Sequence, residues 1–148
     1  MTPTVSVGSA RSQSRAATLP RVRVVVVDDH PLLRDSIHSL LLSAGDMEWV
    51  GEARDGGEAV ELVTRTRPDV VLMDLSMPGI DGLSATRSIV GSFPATQVLV
   101  LTSSTDPARV RHSLGAGAAA VLTKDGDPST ILTGIRRLVD LRPAQPAS

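Results

Sequence analysis

Cysteine is absent from this chain, tyrosine is absent too, and the aromatic residues are one tryptophan, Trp49, and one phenylalanine, Phe93. Without thiols there can be no disulfide and no thiolate metal site, a composition compatible with a reducing cytoplasm. With so few rings, the core has to be built from Val, Leu, Ile and Ala, which suits strands packed between helices. A net charge of −1 gives bulk electrostatics nothing with which to hold nucleic acid directly. No apolar run approaches the roughly 18 to 20 residues that a bilayer-spanning helix needs, so no membrane span is expected. Lysine occurs once, at Lys124, and every other long cation is Arg. An Arg-rich composition accounts for the preference, but not for the one lysine at that place.

What is present is enough for one domain with a sizeable core: 148 residues, 41% of them apolar. The stretch from Val70 to Gly82 organises the reading. Val70-Val71-Leu72-Met73 is a short apolar run of the kind found in a strand buried on both faces, usually within a parallel sheet. It stops at Asp74, after which Pro78, Gly79 and Gly82 force a loop. Asp74 is therefore expected at the carboxyl end of a buried strand, where open α/β sheets keep their ligands.

The other elements fall around it. Met1 to about Pro20 is rich in Ser, Thr and Ala, holds Arg11 and Arg15 and no acid, and lacks the apolar core of a signal peptide. It reads as a disordered extension, an organellar targeting segment being the lesser reading. Arg23–Val27 is a second buried strand, ending in Asp28-Asp29-His30-Pro31. Either one of these acids caps the next helix, with Pro31 in its first turn, or both hold a divalent cation. Leu33, Ile37, Leu40 and Leu41 follow helical spacing up to Gly45. Trp49–Ala53 is a short strand, and Asp55-Gly56-Gly57 a turn with capping capacity. Ala59, Leu62 and Val63 mark a helix closed by Pro68. After the central strand come a helix over Leu83–Ser92, a strand over Gln97–Leu101 ending at Thr102-Ser103-Ser104, and an Ala/Gly-rich helix over Pro107–Gly115. A strand over Ala119–Thr123 ends at Lys124, and the last helix, Pro128–Asp140, buries Ile131, Leu132, Ile135, Leu138 and Val139. Residues from Leu141 to Ser148 read as a tail or the start of a linker. Five strands alternating with five helices predict a doubly wound parallel sheet.

Four of the five strands thus end in groups able to join one reaction: Asp28 and Asp29, Asp74, Thr102 and Lys124. Three carboxylates in one pocket call for a cation, and Mg²⁺ suits them as a hard ion that takes oxygen ligands. A hydroxyl and an ammonium opposite would suit a phosphoryl group. The chemistry that fits is in-line transfer of a phosphoryl group to the Asp74 carboxylate.

With VRVVVVDDHPLLRDSI, GEARDGGEAV, DVVLMDLSMPGIDG, VLVLTSS and GAGAAAVLTKD in that order, the chain resembles the receiver domain of two-component response regulators. The similarity covers about Arg21 to Leu141. It is strongest to the branch whose members carry a LuxR/NarL-type helix-turn-helix output domain. The resemblance implies a flavodoxin-like (βα)5 fold and a regulatory domain rather than an enzyme, working in the cytoplasm. Asp74 would take its phosphoryl group from a sensor histidine kinase. Asp29 and Asp74 would bind Mg²⁺ directly, Asp28 largely through water, and the Ser76 carbonyl would complete the protein ligands. Thr102 and Lys124 would contact the phosphoryl oxygens. Phosphorylation would switch a partner or output surface, for transcriptional control, and a homodimer is expected through the fourth helix, fifth strand and fifth helix, Pro107 to Asp140.

Two departures from the family pattern stand out. Val121 occupies the fifth-strand position where relatives usually place an aromatic whose rotamer reports phosphorylation. Asp125 follows the lysine where many relatives have a cis-proline, and a cis bond to a non-proline residue costs about 3–4 kcal/mol, so a differently built loop is expected there. His30, beside the acids, has a metal-ligand reading, but it is expected to be a partly exposed residue at a helix start and the resemblance gives it no ligand role; His38 and His112 are expected at surface helix positions. Ser84 and Thr86 read as polar helix residues, Asp81 as a turn and cap former, and Trp49 as structural.

Rival readings meet specific obstacles. A dehalogenase-type phosphotransferase needs a second acid two residues after its nucleophile, where this chain has Ser76. A nucleotide-binding domain would show a glycine-rich loop after the first strand. An atypical receiver serving only as a protein-interaction module, independent of phosphorylation, is the remaining alternative.

Overall fold

The computed structural model describes residues 21–75, 82–103 and 106–141. The expected N-terminal extension (1–20), the tail (142–148), the Ser76 carbonyl and the proposed turn at Asp81 lie outside the described residues. Five strands are present: β1 Val22–Val27, β2 Met47–Ala53, β3 Val70–Asp74, β4 Gln97–Thr102 and β5 Ala120–Thr123. Five helices alternate with them: α1 Pro31–Ala44, α2 Gly56–Thr66, α3 Gly82–Ser92, α4 Pro107–Gly115 and α5 Ser129–Leu141. The strands form one parallel sheet in the order β2-β1-β3-β4-β5. This is the expected doubly wound, flavodoxin-like arrangement.

Side-chain alternation along the strands divides the core in two. Val24, Val26, Val70, Leu72, Leu99 and Leu101 face α1 and α5, where Ile37, Leu41, Ile135 and Leu138 meet them. Val25, Val27, Val71, Met73, Val98 and Val100 face α2 and α3, meeting Leu62, Val63 and Ile89. Burial on both faces is why these strands read as unbroken apolar runs rather than alternating ones. Every residue of β3, the middle strand, is buried.

Helix boundaries follow local chemistry. The Asp55 carboxylate accepts the Glu58 backbone N–H at 2.8 Å, while Glu58 reaches back to the Arg54 N–H at 2.9 Å. This reciprocal cap draws Gly56 and Gly57 into α2. Asp106 and Asp127 accept from Ala108 and Ser129 at the starts of α4 and α5, and α1 ends on Gly45 in the left-handed region, φ +81°. β2 begins two residues earlier than its apolar pattern suggested, because buried Met47 pairs with Val22. The register of β1 on β2 then shifts between Val24 and Val25. His38, expected at the surface, is half-buried with its ring stacked on Trp49 at 4.1 Å. Thr86, expected to be a polar helix position, is fully buried and donates its hydroxyl to the Gly82 carbonyl at 2.6 Å. Peptide bonds of the described residues are trans, including that between Lys124 and Asp125. Among the described residues no helix is long and apolar enough to cross a membrane.

One ion pair closes the turn between α1 and β2 onto α5. Arg136 donates to both Asp46 oxygens, Nε at 2.9 Å and Nη2 at 3.0 Å. That hydrogen bonding holds the Asp46 carboxyl below its ordinary value of 3.8. A depressed carboxylate contributes stability above its unfolded pKa and loses it as pH falls through the folded value. Both side chains are about half exposed, so the contribution is small and salt-sensitive. We expect Asp46→Asn to lower the melting temperature at neutral pH, with parent and variant curves converging below pH 3.8. An undiminished gap in acid would show that the ion pair is not the cause.

Candidate functional site

In a sheet of this order the chain runs outward from β1 to β2 and then returns through β3, so a crevice opens at the carboxyl ends of β1 and β3. Those ends carry Asp28, Asp29 and Asp74. Asp74 is fully buried and Asp28 is 1% exposed, whereas Asp29 is half-buried. The Lys124 ammonium, delivered by β5, lies 2.7 Å from Asp74 Oδ1 and 3.6 Å from Asp28 Oδ2. Two of the three carboxylates, Asp28 and Asp74, therefore share one ammonium. Thr102 is buried at the end of β4, one residue past Leu101, the register partner of Asp74. Its carbonyl accepts the Lys124 backbone N–H at 2.8 Å, which fixes the root of the lysine.

The helix-capping reading of the paired acids does not hold. His30 is the N-cap of α1, and no side chain makes a capping hydrogen bond there. Asp28 Oδ1 instead accepts the His30 backbone N–H at 2.7 Å, ahead of the helix. Asp28 Oδ2 is buried and has no hydrogen-bond partner among the described residues. One ligand atom from each of Asp28, Asp29, His30 and Asp74 fits within 4.8 Å of the others. A compact set dominated by buried carboxylate oxygens, one of them without a hydrogen bond, fits a hard divalent cation such as Mg²⁺.

Three neighbours were missed or given a lesser role in the sequence reading. Arg34, one turn into α1 and only 12% exposed, donates Nη1 to the Asp28 carbonyl at 2.8 Å, and its Nε lies 3.4 Å from Glu52 on β2. It ties the end of β1 to the first helix and to the edge strand. A cation among apolar helix positions was the available signal. Gly82 approaches so closely that a Cβ there would stand 2.9 Å from the Asp74 carbonyl oxygen and from Leu75 Cδ2. The third is His30, which is exposed as expected yet has its ring against the acids. Val121, where an aromatic was missing, is half-buried opposite Val100 and packs on the α2–α3 side of the core.

A family model of the response regulator receiver domain matches residues 24–136. The chain belongs to that family. Transcriptional regulatory protein DegU of Brevibacillus brevis is 36% identical over 116 residues, 78% of this chain and 49% of that protein. The signal receiver domain of the putative response regulator NarL from Mycobacterium tuberculosis superposes with a TM-score of 0.79 at 38% identity, covering 83% of this receiver and 99% of that chain. A LuxR-family two-component response regulator from Aurantimonas sp. SI85-9A1 has the same TM-score at 35% identity, over 84% of this receiver and 89% of that chain. These relatives place the receiver in the LuxR/NarL-type branch. It spans about half the length of the curated relatives it matches.

Crowded carboxylates should make this edge unstable on its own. Removing one charge by Asp29→Asn should raise stability in chelator-treated protein by about 0.5–2 kcal/mol, the range of a relieved functional-site conflict. Magnesium chloride should narrow the difference, because only the parent gains the full binding free energy. Urea unfolding with and without the ion tests both statements. A variant less stable than the parent without the ion would contradict the electrostatic account.

Proposed function

We propose that this receiver is a phosphorylation switch in which Asp74 takes a phosphoryl group from the phosphohistidine of a sensor histidine kinase. The observation that supports it best is the buried Asp74 carboxylate at the switch point of the sheet, 2.7 Å from the single lysine of the chain. An Asp74 oxygen attacks phosphorus, the P–N bond to the kinase imidazole breaks as the new P–O bond forms, and a proton returns to the departing nitrogen. Asp29 and Asp74 would hold Mg²⁺ directly, Asp28 largely through water, and the Ser76 carbonyl would complete the protein ligands. When bound, the ion supplies charge neutralisation for the transferring group. Lys124 is placed to pair with a phosphoryl oxygen as it now pairs with Asp74, and the Thr102 hydroxyl to donate to another. The added group carries about −1.5 to −2 charges, enough to redistribute the Lys124 contacts and draw Thr102 toward it.

With Mg²⁺ and acetyl phosphate, the intact mass should rise by one phosphoryl group, and Asp74→Asn should abolish the gain. A normal level of modification in that variant would remove Asp74 from the role. No gain in the parent would favour a phosphorylation-independent interaction module.

The output surface belongs to the same proposal: a homodimer through α4, β5 and α5, feeding transcriptional control in the whole protein. A groove of about 350 Å³ lies between β5 and α5, lined by Ala120, Leu122 and Leu138 and by the polar Thr130, Thr133 and Arg137. Val121 has one stiff torsion and little volume, so it cannot swing as an aromatic lever does. The two states then differ by a modest packing term, and the active form is appreciably populated without phosphate. We expect weak self-association that beryllofluoride strengthens, measured by sedimentation equilibrium. Equal association with and without the mimic, or contacts that map to α1, would reject this face.

A further inference from the structure

The His30 ring is positioned in a way that an incidental surface histidine is not. Its Nδ1 lies 3.1 Å from Asp28 Oδ1, 3.1 Å from Asp29 Oδ1 and 4.0 Å from Asp74 Oδ2. Ligands about 2.1 Å from a six-coordinate ion stand about 3.0 Å apart when adjacent and about 4.2 Å apart when opposite. To Asp29 and Asp74, the two acids read as direct ligands, the nitrogen keeps the spacing of a neighbouring ligand and nearly that of an opposite one, while its 3.1 Å contact with Asp28 Oδ1 is a hydrogen bond. Its placement is also fixed from behind. The His30 backbone N–H is bonded to Asp28 Oδ1 at 2.7 Å, and Pro31 restricts the residue before it while opening α1. The ring is 61% exposed, so burial does not force it against the acids.

An imidazole nitrogen adds little for Mg²⁺, which prefers oxygen, but it is a favoured ligand for first-row transition ions. We propose that His30 Nδ1 is an additional metal ligand, which shifts the preference of the acidic site from Mg²⁺ toward the borderline divalent cations of the Ni²⁺ class. The proposal rests on the reading of Asp28, Asp29 and Asp74 as a metal site. It assigns to this chain a nitrogen donor that the oxygen set does not include, and hence a metal preference of its own.

The test uses the tag-free 148-residue chain, titrated separately with nickel and magnesium chlorides in a calorimeter. His30→Ala should lower the ratio of Ni²⁺ to Mg²⁺ affinity by about tenfold or more. Pulsed electron paramagnetic resonance of the Mn²⁺-loaded parent should show hyperfine coupling to a directly bound imidazole nitrogen, and His30→Ala should lose it. An unchanged affinity ratio, or no nitrogen coupling in the parent, would overturn the assignment of His30. Asp74→Asn separates this from failure of the underlying site. If that variant keeps both affinities, the acidic metal site itself is wrong and the proposal falls with it. If it loses both affinities while His30→Ala keeps the parental ratio, only His30 is wrongly assigned.

Discussion

Like-charge crowding at the ends of two buried strands is the constraint on which the rest of this molecule depends. Asp28 and Asp74 are almost wholly removed from water, where a carboxylate without compensation would take up a proton instead. Compensation comes from an ammonium at the end of β5, far off in sequence, and from two groups close by, a backbone N–H from His30 and a guanidinium from α1 on the Asp28 carbonyl. The ammonium is available only because the parallel sheet brings the carboxyl ends of β3 and β5 to one edge. The sheet is in turn stable only because helices cover both faces, which the two apolar clusters show directly. Chemistry and fold are coupled through that edge.

Much of this was legible in the sequence, for physical reasons that differ by element. A strand buried on both faces leaves an unbroken apolar run, so β1, β3 and β4 could be read from Val, Leu and Met alone, and the polar residue ending each run was a natural candidate for the site. Asp28, Asp29, Asp74 and Thr102 were accessible this way. β2 was harder because it is an edge strand with mixed burial, and its start depends on pairing of Met47 with Val22 rather than on its own pattern. Arg34 was hidden, and the metal-ligand reading of His30 was set aside, for another reason. Both depend on the direction in which α1 leaves β1, and residue type does not encode that direction. Gly82 was read as a loop former, whereas its place is set by proximity to the Asp74 backbone.

The missing aromatic in β5 is informative in the same way. Val121 lies between Val100 and the α2–α3 side of the core, so the position is filled by aliphatic packing with no polar tip to steer it. A ring at this place would report events at the sheet edge through its rotamer. A valine can report them only through small shifts of the strand that carries it.

α4 differs from its neighbours in how it is held. α1 and α5 bury Ile37, Leu41, Ile135 and Leu138, and α3 buries Ile89, but the one buried residue of α4 is Ser113. The helix is fastened instead at its ends: by the Asp106 cap at the start, and at the finish by the turn through Gly117, where a Cβ would stand 2.9 Å from Val90. Between those two points little apolar area is withdrawn from water, so sliding or rotating α4 sacrifices little hydrophobic free energy. Mechanically, the sheet with its other four helices is a stiff frame, and α4 is a hinged panel attached to it.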